Sequence, residues 1–267
     1  MNKVYIQNLG MIVTNKCNLD CGHWLRGCKN ENNMPKDVIE ATLDQTIGIG
    51  NLCICGGEPT LALDVLEYLF SYIIDNKILL DQVSVTINGT NYSLDFLRLL
   101  DYINDYIMHL KKDNFAMFTI SYDDYHEKEL KRLKIFRTYI ENVKRYSESP
   151  HFYGFRNLDQ NLKLFREGNA ERLDRHLTVN LRPIDIVVTY TSQNNVCCIG
   201  PLVTINTEGI ITEDNSSLEH QKTLYNYGKV LTHSLEEVAL TRGRILKPKK
   251  WHKETNKIVK KYVSYNK

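Results

Sequence analysis

No sign of charge dominates this chain. Its 34 Lys and Arg residues face 32 Asp and Glu, for a formal net charge of +2. So small an excess argues against a dedicated nucleic-acid binder and against an acidic solvating tail. Long apolar runs are missing too. Those present, such as residues 65–74, are interrupted by a charge (Glu67) and fall far short of the roughly 20 residues that a membrane-crossing helix requires. Residues 1–10 lack a basic segment followed by an apolar one, so no secretory signal is expected and the expected location is the cytoplasm. No internal repeat or low-complexity segment stands out. What remains is a chain of 267 residues with 42% apolar side chains, the composition of an ordinary globular protein with a sizeable core.

Cysteine is present, but not as a disulfide scaffold. The seven residues, an odd number, cluster as Cys17, Cys21 and Cys28, then Cys53 and Cys55, then Cys197 and Cys198. Small secreted scaffolds space an even number through a short chain, so this grouping points to metal or cluster chemistry in a reducing compartment. His109, His126, His151, His176, His220, His233 and His252 show no ligand spacing on a helix face and are expected mostly at the surface.

Short apolar β-type runs alternate with segments of helical period through the first 150 residues. Strands are expected at 11–14, 51–54, 82–87 and 116–121, and helices at 35–47, 63–73, 94–110 and 127–146. This alternation argues for a parallel sheet with crossover helices. Beyond Pro150 the rhythm changes. Residues 157–175 read as helical, 178–181 and 184–189 as strands, and 203–212 as a hairpin. Ser234 to Glu237 carries a capping-box pattern, and 247–267 reads as a basic surface helix or frayed tail.

Two motifs carry chemistry. The first, Thr14 to Cys28, holds three cysteines within twelve residues just after a strand, with Gly22 and Gly27 to let the loop wrap. Thiolates in threes and fours suit zinc or iron–sulfur clusters. On this loop alone both remain open, because His23 with Cys17, Cys21 and Cys28 would also make a Cys3His zinc set. The second motif, Cys53-Ile54-Cys55-Gly56-Gly57-Glu58-Pro59-Thr60, ends the next strand. Two glycines at a strand's carboxyl end let backbone approach a ligand, and a carboxylate there can grip an ammonium group. Cys53 and Cys55, two apart on one strand, read as core residues on a shared face.

Together the two motifs resemble the radical S-adenosylmethionine (SAM) superfamily over roughly residues 5–190. The resemblance implies an α/β fold, a partial (β/α)6 TIM-like barrel spanning 1–190, with a small α+β cap in 191–267. It also implies a [4Fe-4S] cluster on three cysteines, chelated by S-adenosyl-L-methionine, whose reductive cleavage yields a 5′-deoxyadenosyl radical for hydrogen abstraction. Gly56, Gly57 and Glu58 match the segment that binds the methionine amino group. Asn88 matches a turn lining the SAM site, and Ser121 and Asp123 match ribose contacts. An electron donor of the flavodoxin or ferredoxin kind is implied, with no nucleic acid and no membrane among the partners.

The loop departs from the family's usual Cys-x3-Cys-x2-Cys. Trp24 stands where the third cysteine belongs, and the next is Cys28. Either Cys28 swings back as third ligand, with Trp24 shielding the cluster, or the ligand is lost and the chain is an inert SAM-binding relative serving as a recognition subunit. Cys197, Cys198 and the following hairpin look like a reduced form of the auxiliary extension of peptide-modifying members. They imply a peptide or protein substrate, a hairpin that caps the barrel, and thiols that are remnants or act at the substrate.

Overall fold

The computed structural model describes residues 3–27, 29–110, 114–156, 163–191 and 196–245. Five strands succeed one another as parallel neighbours in chain order: β1 (Val4–Thr14), β2 (Thr46–Gly56), β3 (Leu79–Ile87), β4 (Ala116–Ser121) and β5 (Phe152–Arg156). Between them run α1 (Lys36–Leu43), α2 (Leu63–Asp75), α3 (Leu94–Leu110), α4 (Asp124–Arg132) and α5 (Phe136–Ser147). The α/β partial barrel expected from the motif pair is the observed fold.

Its sixth parallel strand does not come from a sixth βα unit. After β5 the chain makes β6 (Leu164–Phe165) and β7 (Thr178–Val179), which pair with each other off the main sheet, and then β8 (Val187–Tyr190). Next, β9 (Cys197–Gly200) runs parallel to β1 on its free side, with Cys198 opposite Tyr5. A short β10 (Val203–Ile205) continues along the same edge, with Val203 opposite Leu9, and pairs antiparallel with β11 (Ile211–Thr212). Pairing of β8 with β9 is antiparallel. After α6 (Leu218–Lys222) and α7 (Leu235–Arg242), β12 (Arg244–Ile245) closes the edge beside β8. The division at residue 190 therefore runs between two strands of one sheet.

Alternation along the strands decides what faces where. Leu52 and Ile54, Val83 and Val85, and Phe118 and Ile120 are buried in one core with Leu66, Phe70, Phe96 and Leu100 of the helices. Each such fully buried side chain contributes about 1.5–3 kcal/mol. The other face carries Cys53, Cys55, Ser84, Thr86, Thr119 and Ser121, all half-buried. Cys53 and Cys55 do share a face, but it is this polar inner face and not the core.

Several elements differ from expectation. The helix expected at 127–146 breaks into α4 and α5 at Lys134, whose φ of 59° no helix tolerates; Ile135 N–H closes back on Leu130 O at 3.0 Å. The helix expected at 157–175 does not form in its described part, where 163–175 holds β6 and a 3-10 turn at Gly168–Arg172. A Cβ on Gly168 would stand 2.4 Å from Gly27 N and from Leu25 O, so tight packing against the cysteine loop shapes this stretch. His151 is buried, with Nδ1 2.9 Å from Ala116 O and Nε2 2.8 Å from Asp101 Oδ1. The tail expected at 247–267 lies outside the described residues. No helix among those described is long and apolar enough to cross a membrane.

Candidate cofactor site at the strand ends

The carboxyl ends of β1 to β5 surround one cavity of roughly 230 Å³. The loop after β1 supplies Cys17, Cys21, His23 and Trp24 to its wall. The end of β2 supplies Cys55, Gly56 and Gly57, and the end of β3 supplies Asn88. Ser121 ends β4, Asp123 and His126 follow it, and Arg156 closes the ring from β5. Ligand sites in barrels and open α/β sheets collect at this end of the strands, because loops there converge.

The two sequence motifs are bonded to each other. Gly57 N–H donates to Thr14 O, and Glu58 N–H to Lys16 O, each at 2.7 Å. A Cβ on Gly56 would lie 2.4 Å from Thr14 O, and one on Gly57 only 2.0 Å from Lys16 O. The glycine pair therefore serves first to let β2 end against the cysteine loop.

Glu58 is fully buried and does not line the cavity. Its Oε1 accepts from Thr60 N at 3.1 Å and Thr60 Oγ1 at 2.6 Å, and its Oε2 from Asn88 N at 2.6 Å. Burial raises its carboxyl above the usual range, and those donors pull the other way. Its visible work is positional: it ties the turn at Pro59–Leu61 to the end of β3 and so places Asn88. Asn88 in turn donates to Asn18 Oδ1 at 2.8 Å, on the cysteine loop.

Cys17 and Cys21 open on the same cavity. Burial pushes the Cys17 thiol up to about 11 and the Cys21 thiol up to about 12, so both are protonated until a metal displaces the proton. Cys28 lies outside the described residues. Trp24 stands on the cavity wall, its carbonyl accepting from Asn169 N at 2.9 Å.

Asp123 has more partners than a ribose contact needs. It caps α4, with one oxygen accepting from Tyr125 N and His126 N, both at 3.0 Å. Its carboxylate lies 3.3 Å from His23 Nε2 and 3.0 Å from His126 Nδ1. Burial would raise its carboxyl, but the two imidazoles outweigh burial and hold it well below the carboxylate range. Sequence reasoning missed His126, whose helix is so polar that a surface place looked natural. The available signal was the spacing of Asp123 and His126, three apart, at a helix start.

Arg26, Asp214 and Asn215 were also missed, since the contacts that bring them to the cavity span most of the chain. Arg26 donates to Asp214 O and to Ser216 O (2.9 Å), drawing the segment after β11 over the cysteine loop. Cys197 and Cys198 are buried in β9, away from the cavity wall, so a role for them at a substrate there is corrected. Cys197 faces the main core, and Cys198 packs with Tyr5 and Ile47.

No family model matches the sequence. Over 89 residues, 32% of this chain, it is 36% identical to a probable GTP 3′,8-cyclase of Methanocaldococcus jannaschii, and the match spans 29% of that protein. In structure it is similar to native anSMEcpe with bound AdoMet and Cp18Cys peptide. That TM-score is 0.50 at 12% identity, covering 88% of this chain and 80% of that one. Streptococcus suis SuiB bound to precursor peptide SuiA aligns with a TM-score of 0.43 at 13% identity, over 89% of this chain and 65% of SuiB. In fold along most of its length, and in sequence along about a third of it, the chain resembles the radical SAM superfamily.

Proposed function

We propose that this chain is a radical SAM enzyme whose strand-end cavity takes S-adenosyl-L-methionine beside a [4Fe-4S] cluster. The observation that carries the reading is the convergence of two cysteine-loop thiols, Gly57, Asn88 and Ser121 on one cavity at the ends of five parallel strands. Paired soft thiols on a mostly buried wall suit an iron–sulfur cluster. Cys17 and Cys21 would hold it, with Cys28 as the third thiolate. A cluster held there would supply the electron for reductive cleavage of SAM.

The chain's own residues orient and shield. Gly56 and Gly57 bring β2 against the cysteine loop, Glu58 fixes Asn88, and Asn88 and Ser121 offer polar groups to the nucleoside or methionine part of SAM. Trp24 and the segment around Asp214 keep water from the reacting atoms. The half-buried polar inner face of the barrel leads to the cavity and would receive the substrate, which we place among peptides or protein side chains. In this reading residues 1–190 form the catalytic body, and 191–267 cap it and complete its sheet. A flavodoxin- or ferredoxin-like protein in the cytoplasm supplies the electron.

Anaerobic reconstitution with iron and sulfide tests the proposal on wild type, Cys17→Ser and Cys28→Ala. Wild type is expected to hold about four irons per chain and to form 5′-deoxyadenosine from SAM with dithionite, and both variants to do neither. A wild-type chain that holds no cluster overturns the enzyme reading in favour of an inert relative. A Cys28→Ala protein that behaves as wild type removes Cys28 from the ligand set.

A further inference from the structure

Beyond the cluster reading, we propose that Cys21, His23 and His126 form a mononuclear site for a divalent transition ion of the zinc class. The Sγ of Cys21 and one ring nitrogen from each histidine lie within 4.8 Å of one another. Donors bound to one tetrahedral zinc at about 2.0–2.3 Å stand about 3.3–3.8 Å apart, so small side-chain rotations close the site. Thiolates of an iron–sulfur cube bind different irons and stand farther apart. This trio is therefore compact in the way a single ion requires.

The surroundings are those of a ligand set. Nδ1 of His23 is buried without a hydrogen-bond partner, a cost that a metal ion removes when it binds that atom, while Nδ1 of His126 lies 3.0 Å from the same Asp123 carboxylate. His23 Nε2 faces Asp123 Oδ2 at 3.3 Å, which leaves Nδ1 as the free donor. A carboxylate on the far nitrogen fixes the tautomer and ring orientation of a metal-binding histidine. Asp123 is itself held, because it caps α4. The rings are braced as well. His23 lies 4.6 Å from the Tyr125 ring, centroid to centroid, and meets His126 edge-on at 5.1 Å.

One thiolate and two imidazoles suit zinc or cobalt, and three protein donors leave a fourth position for water or a substrate atom. Cys21 also belongs to the proposed cluster set, so the two occupancies exclude each other: an ion here removes one cluster thiolate. Cys17 belongs to the cluster alone, and His126 to the mononuclear site alone.

Cobalt titration of the full apo chain under reducing, anaerobic conditions tests the site. Wild type is expected to take one Co²⁺ per chain with a thiolate-to-cobalt charge-transfer band and tetrahedral visible bands, displaced by Zn²⁺. Cys17→Ser keeps the ion while losing iron and sulfide on reconstitution. Cys21→Ser loses the charge-transfer band, and His23→Ala and His126→Ala lose stoichiometric binding with circular dichroism unchanged. Asp123→Asn, which preserves a capping residue, binds about 10–100-fold more weakly. The site is overturned if wild type takes no stoichiometric cobalt, if both histidine variants bind as wild type does, or if Cys17→Ser loses the ion with its charge-transfer band. A wild-type chain that binds cobalt but never assembles a cluster supports this site and defeats the cluster reading alone.

Discussion

At Gly57 the two motifs touch, and the contact leaves no room for a side chain. Gly57→Ala would drive a Cβ to 2.0 Å from Lys16 O, a backbone atom that cannot rotate away. Overpacking of this kind costs about 1–3 kcal/mol or more. The urea midpoint of Gly57→Ala is expected to fall accordingly, together with loss of metal uptake, since the cysteine loop must move. A variant as stable as wild type would show that the loop shifts freely. Glu58 shows the limit of a motif read by residue type. Its carboxylate stood out in the sequence as a grip for an ammonium group, but three donors from Thr60 and Asn88 occupy it. The two Thr60 bonds are local, but the Asn88 bond depends on how β3 ends, and no local pattern around Glu58 states that.

At the scale of elements, caps and turns were largely legible and inter-element bonds were not. Ser234 caps its helix as read, with its Oγ accepting from Glu237 N at 3.1 Å. The break between α4 and α5 was not legible, because Leu133-Lys134-Ile135 carries no glycine or proline to mark it. Arg26 is the element-scale bond with the clearest consequence. It is buried, and its guanidinium satisfies two carbonyls of the 214–216 segment while lying 3.5 Å from Asp214 Oδ1. Arg26→Met keeps much of the apolar stem and removes those bonds. Hydrogen bonds to a charged group are worth about 1.5–3 kcal/mol, so stability is expected to drop by about 2–3 kcal/mol. Limited proteolysis should then cut near residues 213–217; unchanged protection there would show that the hairpin, and not Arg26, holds this segment.

Across the whole molecule, Glu213 joins three separate stretches. It follows β11, accepts from Ile184 N at 3.1 Å and takes the Tyr227 hydroxyl at 2.8 Å. Burial raises its carboxyl above the ordinary value of 4.5, against the pull of those two donors. The folded chain therefore holds this proton more tightly than the unfolded chain. The stabilisation is fully present below the unfolded pKa and is lost as pH rises through the folded one. Urea midpoints measured from about pH 4 to pH 7 should fall for wild type relative to Glu213→Gln, which stays neutral throughout. Parallel curves for the two proteins would remove Glu213 as the cause.

Short-range physics made much of this protein readable. Period-two alternation marks β3 and β4, helical period marks α2 and α3, and the resemblance carried by Cys17, Cys21 and Gly56 to Glu58 points to a strand-end site. Tertiary structure decided the rest. Alternation says that the two faces of β2 differ, but only packing of α2 and α3 shows that Cys53 and Cys55 face the inner side. Closure of the sheet by β9 and β10 against β1 joins residues almost 200 positions apart, and the pairing of His23 with His126 needs the loop after β1 to meet the start of α4. Such contacts form because the barrel brings the ends of its strands together, and sequence neighbours carry no record of that.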